Sequence, residues 1–570
     1  MKKIFLVVFS VSLLTAFLSI QSISKAFAES ELIESCYMLA FVSSPLENKI
    51  QAEEVLDIID SASKNGFSGI VFSSNFDRIV TQNDQYFKYL DQIKNRCREK
   101  DMEIIPLIGS FGWGSNILWQ NPNLAEGLRV ESQVFKVNGN SAELVKGKIE
   151  FSNGGFERYN GDVADNYEFQ EKPGEISFID IKEYAEGKSS LRFQNFYLDK
   201  YKQARVMHKV KVLPKKSYRM DCSIKTQLFT PSDSIKLVCI DQNGKVLGTE
   251  RNSTVWQKKY TDCDNGWYKI TMGFNSMENT FVNIYAGAWG AEEGIFWIDD
   301  LTVQEVGLVN ILRRNGTPLC IRNRENGQIY EEGIDYEFVR DTIMDFEFDH
   351  CSESIKIPLQ SSIKDGTFLL VDYYHGLGMD HDQISVCMSE ETSYDILEKN
   401  IQALVGRLES SKFFISLDEV IMGGTCALCS CCEKKPGLIM SQCVIRQMAI
   451  VRKYKPSANF FIWSDMFDPY HNADRQYGLC EGYYGAIESL PKDITFVCWN
   501  NKVIEKSINF FASKGFSVMA GAYYDDKSMN STEECVSALK STNKQIKILY
   551  TTWKKDYSML KEFSEMVRKK

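Results

Sequence analysis

The chain has 570 residues, 44% hydrophobic and 25% charged, which is the balance of a soluble globular protein of more than one domain. Its formal net charge is −10, and no basic run is long enough to track a phosphate backbone, which argues against nucleic acid as a partner. A core of this size needs no disulfides for stability, so cysteines must be read for other roles as well.

The N-terminus has the pattern of an export signal. Lys2 and Lys3 supply positive charge, Ile4 to Ile20 form an apolar stretch, and Ala26-Phe27-Ala28 offers a small-x-small cleavage site before Glu29. Residues 1–28 are therefore expected to be a signal peptide, with an uncleaved anchor as the alternative. The mature chain is expected to be secreted or extracytoplasmic, in the periplasm or outside a bacterial cell. No later run is apolar enough to span a bilayer, so no membrane partner is expected after cleavage.

From Cys36 the pattern alternates short apolar runs with amphipathic ones. Tyr37–Val42, Gly69–Phe72 and Met102–Ile108 read as strands. Gln51–Lys64, closed by Asn65-Gly66, reads as a helix, and another falls near Tyr86–Lys100. Buried strands alternating with helices imply a parallel sheet.

The rhythm breaks at about Val130. Alternating strands follow, among them Ala204–Val212, Ile235–Ile240 and Thr280–Tyr285, with turns such as Asp241-Gln-Asn-Gly244 between them. This predicts an antiparallel β-sandwich over 130–306, inserted into a loop of the first domain (29–129). A region over 307–375 reads as an extended connection.

The first rhythm returns over 376–570. Phe413–Leu417, Asn459–Trp463, Ile494–Trp499, Val518–Tyr523 and Ile546–Tyr550 read as strands, and Ile439–Lys453 and Val503–Ser513 as helices. Three strands before the insertion and five after it make eight, the number that closes a parallel barrel. Thr367–Val371 is a ninth candidate. The expected fold is α/β: a (β/α)8 TIM-type barrel carrying an inserted antiparallel, jelly-roll-like sandwich.

In such barrels the chemistry sits where strands end. The ends here carry Ser43-Ser44, Asn75-Phe76-Asp77, Ser110–Gly114 with Trp113, Asp418-Glu419, Trp463 with Asp465 and Asp468, Trp499-Asn500, Tyr523-Tyr524-Asp525-Asp526 and Trp553. Acids and aromatic rings together suit a sugar, which needs carboxylates for hydroxyls and proton transfer and rings for stacking. Burial beside a second carboxylate would raise the pKa of one member of Asp418-Glu419 and make it a general acid.

These C-terminal strand ends resemble the family 20 glycoside hydrolases, the β-N-acetylhexosaminidases. The matching positions are Asp418, Glu419, Trp499, Tyr523 or Tyr524, Asp525 and Trp553. The resemblance implies Glu419 as the acid that protonates the glycosidic oxygen and Asp418 as the residue orienting the substrate's acetamido group, which is the nucleophile. Trp463, Asp465, Trp499, Tyr523, Tyr524, Asp525, Trp553, Trp113 and Asp77 would bind the sugar. The chain departs from the family at Phe414-Ile-Ser-Leu417, where the family has His-x-Gly-Gly. It has no arginine in Tyr37–Val42, and it has Trp553-Lys554-Lys555 where the family has an acid two residues after the Trp. Within the insertion, Gly187–Arg192, Lys215–Tyr218 and Gly294-Ile-Phe-Trp-Ile-Asp-Asp300 resemble carbohydrate-binding modules of the family 4/9/22 type.

The expected function is thus a secreted glycoside hydrolase acting on an oligosaccharide or glycan. The alternatives are a non-catalytic glycan-binding protein and a retaining glycosidase with Asp525 or Asp526 as nucleophile. All 16 cysteines follow the signal, and Cys426, Cys429, Cys431 and Cys432 cluster after the acid pair. Their spacing allows a metal knuckle, a disulfide or buried thiols, with Cys443 and Cys480 as possible further members. Disulfides or free thiols lead, so no metal and no cofactor is expected. A metal-dependent protein built around the cluster is a further alternative.

Overall fold

The computed structural model describes residues 36–569 apart from 148, 249–250, 253–261, 264–265, 379–382, 431–434, 475–476, 481 and 543–544. The expected export signal, Cys431 and Cys432 lie outside the described residues. No helix among the described residues is long and apolar enough to cross a membrane.

Eight parallel strands close into a barrel: β1 (Tyr37–Ser43), β2 (Gly69–Ser73), β3 (Glu103–Ile108), β4 (Lys412–Ile415), β5 (Asn459–Trp463), β6 (Ile494–Cys498), β7 (Ser517–Tyr523) and β8 (Lys547–Thr551). β8 returns to β1, with Leu549 opposite Leu39, and β3 pairs with β4, with Leu107 opposite Phe414. The segments on either side of the insertion therefore form one barrel, as the resumed strand–helix rhythm predicts. Around it lie α1 (Lys49–Lys64), α2 (Asp84–Glu99), α3 (Glu391–Leu408), α4 (Pro436–Tyr454), α5 (Ile504–Ser513), α6 (Asn530–Lys540) and α7 (Leu560–Arg568). Between β5 and β6 the described residues form only short 3-10 turns, which leaves a long loop over that part of the barrel mouth.

Each strand is apolar along most of its length because both its faces are covered, with successive side chains alternating, and charged residues such as Glu103 and Lys412 stand only at strand starts. In β1, Met38, Ala40 and Val42 meet the helices, while Leu39 and Phe41 fill the interior. In β4, Phe413 and Ile415 point to the helices and Phe414 inward. The interior is completed by Val71, Ile105, Phe461, Trp463, Val497 and Met519. Gly521 falls on the inner face of β7, and a Cβ there would come within 3.2 Å of the Trp499 Cβ. The missing side chain makes room for the indoles.

The insertion folds as antiparallel β-structure. A six-stranded and a five-stranded sheet share a core that includes Phe193, Met220, Ile224, Phe296, Val206, Leu237 and Ile284. A third sheet pairs Leu128–Asn138 with Phe368–His375 and Ser141–Leu144, and adds Cys320–Asn323. The strand from 128, grouped with the sandwich by its pattern, thus belongs with the 307–375 region. The ninth candidate, Thr367–Val371, joins it there and not in the barrel. The physical reason is adjacency: the outgoing and returning legs of the excursion lie side by side and satisfy each other's backbone groups. The sandwich core continues onto Ile421, Met422 and Leu479, from the loops after β4 and β5.

Candidate active site

The C-terminal mouth of the barrel holds a cavity of about 630 Å³ whose lining includes Phe41, Trp113, Ser416, Asp418, Glu419, Trp463, Trp499, Tyr524, Trp553 and Lys555. It is built by strand parity. Phe414, Ser416 and Asp418 alternate inward on and just beyond β4. Glu419 would follow parity outward, but its backbone is left-handed (φ +49), which turns the chain and brings the second acid to the same cavity.

Asp418 accepts the Ser416 hydroxyl at 2.7 Å, and its pKa is raised chiefly by burial. The Glu419 carboxylate is hydrogen-bonded to the Tyr477 hydroxyl, whose ionisation is in turn pushed far up by burial and by that carboxylate. The Glu419 N–H donates to Asp465 Oδ2 at 2.9 Å, and its carbonyl accepts Gln383 Nε2 at 2.6 Å. Asp465 is fully buried beneath the acid pair and also accepts Asn472 Nδ2 at 3.3 Å and Trp499 Nε1 at 3.4 Å. Burial first, then the charges of Asp418 and Glu419, push its pKa up to about 8 against the pull of its donors. Three acids gathered at neighbouring strand ends thus disfavour simultaneous ionisation.

The rings form a continuous wall. Phe41 stands 6.0 Å from Trp463 and 5.9 Å from Trp553, and Tyr524 stacks on Trp499 at 6.1 Å and tilts against Trp553 at 6.3 Å.

Of the residues singled out in the sequence, Asp418, Glu419, Trp113, Trp463, Trp499, Tyr524 and Trp553 line the cavity, and Asp465 lies under it. Three do not reach it. Tyr523 follows a break in strand parity at its own φ of +81: it stacks on Tyr550 at 4.4 Å on the helix side, which sends Tyr524 to the cavity. Asp525 accepts the Thr552 hydroxyl and the N–H groups of Trp553 and Lys554, so it shapes the loop that presents Trp553. Asp77 accepts the N–H groups of Gly109 and Ser110 at 2.8 and 2.9 Å and fixes the loop that presents Trp113. Asp468 caps its own loop by accepting the Tyr470 N–H. Asp526 accepts from Ser528 and Ser531 at the start of α6, and neither it nor Asp525 is presented to the cavity as a nucleophile. Sequence reasoning missed Tyr477, Asn472 and Gln383, which come from irregular segments without a period. It also missed Ser416, which the inward parity of Phe414 and Asp418 could have given.

No family model matches the chain, and no curated protein matches it. Among solved structures, the CBM22-1 xylan-binding domain from Paenibacillus barcinonensis is 13% identical, covering 28% of this chain and 95% of its own, with a TM-score of 0.19. A rhamnosidase from Novosphingobium sp. PP1Y is 8% identical over 91% of this chain and 55% of its own, with a TM-score of 0.33. The GH20 β-N-acetylhexosaminidase from Streptomyces coelicolor A3(2) is 13% identical over 25% of each chain, with a TM-score of 0.17. The molecule is a TIM-type barrel with an inserted β-sandwich, and at these identities its chemistry has to be read from its own residues.

Proposed function

We propose that this chain is a glycoside hydrolase, with Glu419 as general acid. The observation that carries the reading is the joining of Asp418 and Glu419 to a wall of Phe41, Trp463, Trp499, Tyr524 and Trp553 around one cavity at the barrel mouth. The rings offer apolar faces to the C–H faces of a sugar, and the acids meet its hydroxyls and the scissile oxygen. Glu419 is held by its backbone on Asp465 and by its carboxylate on Tyr477, so the group is fixed in position at the cavity. Asp418, next to it, orients a 2-acetamido group in the substrate-assisted route that the resemblance implies. The signal-like N-terminus supports the reading that this work is done outside the cytoplasm.

Turnover of a panel of aryl glycosides and natural oligosaccharides by the purified chain tests the reading. Hydrolysis of 2-acetamido sugars ahead of their 2-hydroxy counterparts is the expected result. Preference for sugars without an acetamido group would remove the role of Asp418 and leave Glu419 as acid. Binding of glycans with no turnover of any would leave a non-catalytic glycan-binding protein.

A further inference from the structure

Beside the loop that carries the acid pair, and outside its cavity, lies a second buried cluster. Cys387, Cys426, Cys429 and Glu126 place one ligand atom each within 4.8 Å of one another, and all four residues are buried. Cys387 Sγ is 3.6 Å from Cys426 Sγ and 3.7 Å from Cys429 Sγ, and Cys429 Sγ is 3.6 Å from Glu126 Oε2. A disulfide needs about 2.05 Å between sulfurs. Four ligands at the corners of a tetrahedron, with metal–sulfur bonds of about 2.3 Å and metal–oxygen bonds of about 2.1 Å, stand about 3.8 Å apart for sulfur pairs and about 3.6 Å for sulfur and oxygen. The observed spacings match those edges.

We infer that Cys387, Cys426, Cys429 and Glu126 bind one structural zinc ion in a closed S3O site. Among themselves three thiols cannot all pair as disulfides, whereas three thiolates and a carboxylate complete a tetrahedron. The carboxylate is already oriented for it: Glu126 Oε1 accepts the N–H groups of Thr425 and Cys426, each at 2.8 Å, and the Thr425 hydroxyl at 3.0 Å, which leaves Oε2 turned toward the sulfurs. Such outer hydrogen bonds fix the geometry of a metal ligand. The Cys429 N–H donates to the Cys426 sulfur, which closes the C-x2-C turn. Four anionic ligands exceed the charge of Zn²⁺, and the buried Arg314 guanidinium beside Cys426 and Cys387 offsets part of the excess. Arg314 is itself held by the carbonyls of Asn123 and Ala125 and by Glu390.

The location gives the ion a task. Glu126 is where the chain leaves the barrel and Cys387 is where it returns; the two legs touch through Ala125 and Val386, and the Cys387 N–H bonds the Leu124 carbonyl at 2.9 Å. Cys426 and Cys429 belong to the loop after β4. One ion therefore ties the root of the insertion to the segment that presents Asp418 and Glu419. This corrects the expected membership of the cluster: its partner from elsewhere is Cys387, while Cys443 bonds to Gln447 and Cys480 lies against the Gly423 and Gly482 carbonyls. Cys387, Cys426, Cys429, Cys443 and Cys480 are all free of disulfides.

Elemental analysis of the full chain, purified without chelator, is the direct test. About one zinc per chain is expected. Metal removed with chelator and replaced by cobalt(II) should give thiolate-to-metal charge-transfer absorption. Cys387→Ser and Cys429→Ser should lose the metal and melt earlier. Thr425→Val, which leaves all four ligands in place, should weaken zinc binding roughly 10–100-fold. Cys443→Ser, at a buried cysteine outside the cluster, should keep the zinc. If the cluster variants fail to fold, the wild-type zinc content and cobalt spectrum still decide. The inference is overturned if the wild-type chain contains no metal and takes up neither zinc nor cobalt after reduction, or if peptide mapping of the unreduced protein finds a disulfide between any two of the three cysteines.

Discussion

The molecule contains two adjacent acid pairs with the same local backbone and different fates. Asp418-Glu419 ends a barrel strand; Asp299-Asp300 sits at a bulge in the sandwich strand Glu293–Glu305. The second member of each is left-handed, with φ of +49 for Glu419 and +46 for Asp300. Asp299 is fully buried, and its carboxylate accepts the N–H groups of Ala185, Glu186 and Asp300 at 2.7, 3.1 and 2.7 Å. Trp297, two residues earlier, donates its indole N–H to Asp180. The Trp-Ile-Asp-Asp segment therefore spends its polar atoms on the sandwich itself. Asp418 takes a side-chain hydroxyl from Ser416 and faces a cavity lined with rings. Where the backbone supplies the donors an acid pair is structural; where a cavity replaces them, the remaining acceptor positions are left for a ligand.

The largest effect that tests this contrast is on turnover. Glu419→Gln keeps size and most hydrogen bonds but removes the transferable proton, so activity on natural glycosides should fall roughly 10²–10⁴-fold. The loss should shrink on aryl glycosides with good leaving groups. Asp418→Asn should damage turnover of 2-acetamido sugars alone. Asp300→Asn, the counterpart of Glu419 in the other pair, should leave turnover unchanged. Equal activity of wild type and Glu419→Gln on a natural glycoside would sink the assignment.

The barrel was legible because its strands are buried on both faces and read as unbroken apolar runs, and because α1, α2, α4 and α5 carry clear periods. α6 was not: it opens Asn530-Ser-Thr-Glu-Glu and buries Thr532 and Cys535 along with its few aliphatic residues, too weak a stripe to stand out. The acid pair was legible from its place at a strand end. Which neighbour of each strand end turns inward was not, because parity fails where φ becomes positive, at Glu419 and Tyr523, and side-chain alternation does not foresee that. The cysteine cluster was half legible. Cys426 and Cys429 announce themselves by spacing, but Glu126 and Cys387 come together only because the two legs of the insertion close on each other.

The second effect is on stability and lies on the sandwich side. Asp299→Ala leaves buried N–H groups of Ala185, Glu186 and Asp300 without their acceptor and should cost about 3 kcal/mol in denaturant unfolding. Asp418→Asn should cost less than half as much, since it strips no set of buried N–H donors. Similar losses at the two sites would erase the distinction between them.

The third is a difference in pH dependence. Burial pushes Asp299 to about 6, even against its three N–H donors, and Asp465 to about 8. A carboxyl whose folded pKa is raised binds more protons folded than unfolded, so its contribution to stability falls as pH rises from the unfolded value to the folded one. The Asp299 contribution is lost by about pH 6, and that of Asp465 continues to fall to about pH 8. The melting temperature of the wild type should therefore decline from pH 6 to 8 more steeply than that of Asp465→Asn, with the two curves converging toward pH 4. Parallel curves between pH 6 and 8 would show that Asp465 is already ionised at the lower end.

The smallest effect concerns a ring at the rim. Trp553 is 60% exposed and touches Phe41 and Tyr524, so removing it opens no cavity in the core. Trp553→Ala should change unfolding free energy by no more than about 0.5 kcal/mol, as surface substitutions do. If the ring is a platform for sugar, its loss should instead appear as a raised KM. An aromatic contact of about 0.5–1.5 kcal/mol corresponds to a change of roughly 2–10-fold, with kcat nearly kept because the contact is made equally in the ground and transition states. Trp289, whose neighbours on the outer face of the sandwich are Tyr285 and Arg205, provides the matched control. Trp289→Ala should leave KM for short oligosaccharides untouched, because neither Trp289 nor its neighbours Tyr285 and Arg205 line the barrel cavity. A drop in kcat with unchanged KM for Trp553→Ala would instead mean that the ring positions the loop held by Asp525, and that the stacking wall ends at Tyr524.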